Sequence, residues 1–143
     1  MKRSSSFPPV PLLRDSRGAA IVEFALLAPV LLMILLGMLG YGQYFLLAHS
    51  TQQLANDSAR ATIAGMSAAE RLSLANATMA RELLRLPEIR PGTASLTVAE
   101  APPTITVSVR VDASRIGLFH VKLLPMPNPV IERSAVIQQG GVL

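Results

Sequence analysis

The sequence predicts an α+β membrane protein: a long N-terminal helix, transmembrane and then projecting, a second amphipathic helix, and a small antiparallel β-sheet. Three observations predict it. One uncharged apolar block follows a basic leader. Apolar and small residues at spacings of three and four continue well past that block. Towards the C-terminus the period changes to two.

Residues 1–18 hold Ser4, Ser5, Ser6, Pro8, Pro9 and Pro11 without periodicity and read as a cytoplasmic leader. Lys2, Arg3, Arg14 and Arg17 face only Asp15 there, a net +3 of the chain's total +4. The remaining nine basic and eight acidic side chains nearly cancel, so the charge is a leader effect and points to no nucleic acid.

From Ala19 to Ala48 the single charged residue is Glu23, and Phe24 to Gly42 contains nothing strongly polar. About twenty apolar residues suffice for a helix to cross the hydrocarbon, so 19–48 is assigned as transmembrane helix in contact with the lipid bilayer. The basic leader orients its start inward, and Tyr41, Tyr44 and Phe45 stand where an aromatic belt belongs. A cleavable secretory signal is the rival reading, with a small-x-small site at Ala48-His49-Ser50, but its apolar core is usually only 7 to 15 residues.

The helical pattern then runs on through 49–65. Leu47, Thr51, Leu54, Ala55, Ser58, Ala59 and Thr62 form one small, weakly apolar face, and Gly65 ends the helix. Residues 66–143 are expected to form a small exported α+β domain. Its helix spans Ser67 to Leu86, with Ser67 as N-cap and Glu70 completing a capping box. Leu72, Ala75, Met79, Leu83 and Leu86 make its stripe, and Pro87 stops it. Leu96 and Val98 alternate with polar neighbours, as do Ile105, Val107, Val109 and Val111, with Pro102-Pro103 as the turn between the runs. A third run, Val130 to Gln138, places Ile131, Ala135 and Ile137 on one face. The sheet's apolar face is expected to lie under the second helix.

The chain has no Cys, which excludes a disulfide framework, a thiolate zinc site and a Cys nucleophile. His49 and His120 are too far apart to suggest a metal site. Ser50, Thr51 and Arg110 read as solvated. No phosphate loop, carboxylate pair or nucleophile signature appears, so neither an enzyme nor a cofactor is expected.

The informative cluster is Arg17-Gly18-Ala19-Ala20-Ile21-Val22-Glu23-Phe24. An acid at the edge of a membrane span is costly unless it is paired, and glycine presents an unhindered peptide bond to a protease. With Ala25 and the following Leu26-Leu27-Ala28-Pro29, this segment resembles the TadE-like proteins, minor pseudopilins of the Tad (tight adherence, or Flp) pilus. The likeness extends from Arg17 to about Gly65. It departs at Gly40, where family members often carry an acid.

The resemblance implies cleavage by a prepilin peptidase between Gly18 and Ala19. Glu23 and Phe24 would then act in processing and assembly, with Glu23 meeting the new amine of a neighbouring subunit. It also implies partners among other pilin-type subunits and the Tad inner-membrane assembly platform. The protein would lie in a bacterial inner membrane, N-terminus cytoplasmic and C-terminal domain periplasmic. Pro29 is a candidate helix kink. Plainer readings stand beside these: Glu23 as an acid at headgroup level and Gly18 as a junction. The alternative function is an unprocessed single-pass protein whose exported domain binds a ligand or partner.

Overall fold

Helix α1 (Ser16–Thr62) and helix α2 (Ala68–Leu83) precede strands β1 (Ala94–Ala101), β2 (Thr104–Asp112) and β3 (Val130–Gln138). These elements come from a computed structural model that describes residues 16–120 and 125–139. Most of the expected leader, including Lys2, Arg3, Arg14 and Asp15, lies outside the described residues, as do the side chains of Arg17 and His120. The α+β class, the long helix, the second helix and the antiparallel sheet are as the sequence predicts.

α1 continues through Pro29, which cannot donate to the helical ladder. Between Ile21 and Leu39 its large apolar side chains are exposed. Among the described residues it is the helix long and apolar enough to cross a membrane. From Leu47 onward its environment changes. Leu47, Thr51, Leu54, Ala55, Ser58, Ala59 and Thr62, the face read from the spacing, are all almost wholly buried.

The sheet has the order β1-β2-β3, both pairs antiparallel. Ala101 pairs with Thr104 across a turn containing a cis Pro102-Pro103 bond. Ile105, Val107, Val109 and Val111 of β2 point to the core with Ile131 and Ala135 of β3, while Leu96 and Val98 of β1 are half-buried beside them.

The cover of this sheet corrects the expectation. α1, not α2, packs across β2 and β3, and α2 lies against α1 and touches β1. The physical reason is size. Ala55, Ser58, Ala59 and Thr62 are short enough for the α1 backbone to approach the sheet closely. The two threonines of this face tolerate burial because the helix accepts their hydrogen: Thr51 Oγ1 donates to Leu47 O at 2.7 Å and Thr62 Oγ1 to Ala59 O at 2.7 Å. The helix extension and the strands therefore share one core, across the boundary drawn at residue 65.

α2 is shorter than its stripe. It ends at Leu83, with Leu84 as C-cap, three residues before Pro87. Leu72 is exposed, whereas Ala75 and Thr78 are buried and Met79, Leu83 and Leu86 pack at the core's edge. Ser67 caps the helix, accepting from Glu70 N at 3.2 Å. The Glu70 carboxylate closes the motif one residue early, accepting from Met66 N at 2.8 Å.

Candidate functional site

The residues singled out by sequence all lie at the start of α1. Gly18, Ala19, Glu23 and Phe24 fall within its first nine residues and are exposed. The Gly18–Ala19 peptide is helical, and a Cβ placed on Gly18 would meet nothing within 4 Å. A protease that binds extended substrates would have to unwind this first turn. Glu23 stands one turn past Ala19, a rise of about 6 Å. It makes no hydrogen bond or ion pair with any described residue. Pro29 is exposed a further turn and a half along.

At the other end of the apolar run the helix meets the head. The Tyr41 hydroxyl donates to Pro125 O at 2.5 Å. Tyr44 packs edge-on against Phe119, with ring centroids 6.4 Å apart, while Phe45 remains exposed. The expected aromatic belt thus divides its work between the head and the outside. Ser50 and Thr51 correct a second expectation: both are buried, and the Ser50 hydroxyl donates to the Glu88 carboxylate. Helical phase decides this, because both fall on the face turned to the head. Arg110 is exposed on the sheet's outer face, opposite Glu132 of β3.

No group of His, Cys, Asp or Glu among the described residues is arranged to hold a metal. An open cleft of about 500 Å³ lies where α1 ends beside β3. It is lined by Thr62, Ile63, Gly65, Ile105, Ile137, Gln138 and Gln139, none of them ionisable. Sequence reasoning missed the contacts that join distant segments: Tyr41 with Pro125, Ser50 with Glu88, and Arg71 with Glu100. Opposite charges on Arg71 and Glu100 were visible, but nothing local links positions 29 residues apart.

Fold and site together define a membrane-anchored protein whose small α+β head is built onto the C-terminal part of its own long helix. Residues 18–60, about a third of the chain, match the family model described as TadE-like protein, so the N-terminal resemblance holds over that stretch. The matched stretch runs from Gly18 to within two residues of the end of α1, and so includes both the apolar run and the face that carries the head. Neither a curated relative nor a solved structure matches the chain.

Proposed function

We propose that this protein is a minor pseudopilin-like subunit in the assembly of a Tad-type pilus and a substrate of a prepilin peptidase rather than an enzyme. The observation that carries the reading is the family match, which begins at Gly18; in the sequence Glu23 stands five residues on. Cleavage after Gly18 would leave Ala19 as the N-terminus, with its head outside the cytoplasm. An unpaired acid in a span costs up to about 3 kcal/mol at mid-membrane and less towards the interface. The Ala19 ammonium of a neighbouring pilin-type subunit would compensate that charge and favour matching axial register. The assembly platform would act on subunits so aligned.

The intact mass of the protein from membranes, with and without the peptidase, tests this. Loss of residues 1–18 only when the peptidase is present is expected, and Gly18→Val should prevent it. A mass that always retains the leader would reject processing and leave an unprocessed single-pass protein. Glu23→Gln should be cleaved normally yet recover fewer pilin-type subunits on co-purification. Normal recovery would reject the charge pair.

A further inference from the structure

Twenty residues of helix from Phe24 span about 30 Å, the thickness of the hydrocarbon core. The far boundary then falls near Gln43. Two contacts hold the connection between β2 and β3 at that level. Pro125 O accepts from the Tyr41 hydroxyl at 2.5 Å. Phe119, in the short 3-10 turn Gly117–His120, packs on Tyr44 with centroids 6.4 Å apart. Gly117 and Pro125 are exposed there, Ile116 and Met126 half-buried. Beside them α1 leaves Phe45 64% and Leu46 52% exposed, large apolar groups that the head does not cover.

We propose that this end of the head rests on the membrane: Ile116, Gly117, Pro125 and Met126 lie against the phospholipid headgroups, with Phe45 and Leu46 reaching the acyl boundary. The occupant is a lipid surface because the patch is continuous with the apolar face of the span. Tyr41 holds Pro125 at the depth where amphipathic aromatic rings favour the interface. The contact is interfacial rather than ionic. Among the described residues the neighbouring rim carries Glu88 and Asp112 against Arg90 and Arg115, which balance. It therefore forms on a zwitterionic bilayer and fixes the head's tilt over the membrane. This rests on α1 crossing the membrane and is independent of cleavage or pilus assembly.

The chain has neither Trp nor Cys, so one introduced Trp reports alone. The full chain is reconstituted in phosphatidylcholine vesicles with or without bromine on the acyl chains. Gly117→Trp suits the test because a Cβ there meets nothing within 4 Å. Leu31→Trp reports the span. Val136→Trp reports the head's far end, beside Asn56 and Arg60 and about 20 Å beyond the boundary. Brominated lipid should quench the reporters at Leu31 and Gly117 and spare Val136. Quenching at Leu31 without quenching at Gly117 would overturn the surface contact while keeping the span. Loss of quenching at Leu31 would overturn both. Tyr41→Phe should weaken quenching at Gly117 alone, and unchanged quenching there would overturn the positioning role of Tyr41.

Discussion

Arg71 holds Glu100 by two parallel hydrogen bonds, Nε to Oε1 and Nη2 to Oε2, each 2.8 Å. The third arm of the guanidinium donates to Gly65 O at 3.0 Å. One side chain on α2 thus ties β1 to the turn that ends α1. The fork geometry suits arginine, whose planar donors match a carboxylate.

The pair predicts a pH dependence. The Arg71 hydrogen bonds, aided by its charge, hold the Glu100 carboxyl below its ordinary range against a weaker opposing effect of burial. The same bonds raise Arg71, which stays charged throughout. A carboxyl lowered by folding contributes stability that is present above its unfolded pKa and lost as pH falls through its folded value. Glu100→Gln should therefore unfold at lower temperature than the parent at pH 7, and the gap should close as the medium is acidified below the usual glutamate range. Thermal unfolding followed by circular dichroism in detergent checks this. A gap that persists in strong acid would show that the hydrogen bonds matter without the charge.

Gly65 is fixed by the same corner. A Cβ there would stand 2.5 Å from Arg71 Cγ, 2.8 Å from its backbone N and 3.0 Å from its Cα. Two of those atoms are backbone, so the start of α2 must shift. Gly65→Ala is expected to destabilise the head by about 1–3 kcal/mol through overpacking. Gly117→Ala, in open space, should change nothing measurable in the same unfolding assay.

How legible this fold was depends on whether a signal was local. The face Leu47-Thr51-Leu54-Ala55-Ser58-Ala59-Thr62 and the strands were readable, because helical and strand periods are written into neighbouring residues. What the α1 face covers was not. Periodicity identifies a buried side but never its partner, and the Leu72 to Leu86 stripe of α2 offered a more conspicuous cover. Ser50 was misread for a related reason: a hydroxyl looks solvated until Glu88, 38 residues away, supplies its acceptor. For the candidate site, motif and charge marked Gly18 and Glu23. Glu23 has no partner among the described residues, so the proposed pairing is a property of two chains and not of this fold.

Within the α1 face, Ser58 and Leu54 should behave oppositely. The buried Ser58 hydroxyl has no hydrogen-bond partner among the described residues. An unpaired buried hydroxyl is a cost, and alanine is the better helix former. Ser58→Ala should raise stability by about 0.5–1 kcal/mol. Leu54, fully buried, should lose about 2–5 kcal/mol on change to Ala through lost transfer energy and the cavity left behind. Chemical denaturation of both variants decides; a destabilised Ser58→Ala would imply that the hydroxyl is satisfied.

The sharpest consequence of the corrected packing concerns where the head begins. If α2 covered the sheet, a fragment starting at Ser67 would fold. In this structure such a fragment loses Leu47, Ala48, Leu54, Ala55 and Ala59 from the core. Ile105, Val107, Val109, Val111 and Ile131 would then face water as one continuous apolar surface. Each large side chain re-exposed costs about 1.5–3 kcal/mol, and a small domain has only about 5–15 kcal/mol in total. The fragment from Ser67 should therefore be unfolded or aggregated. One from Gln43, which keeps Tyr44 against Phe119 and the whole buried face of α1, should melt cooperatively and show dispersed amide resonances. Cooperative melting of the shorter fragment would mean that α2 can serve as the cover, and that α1 is only a stalk.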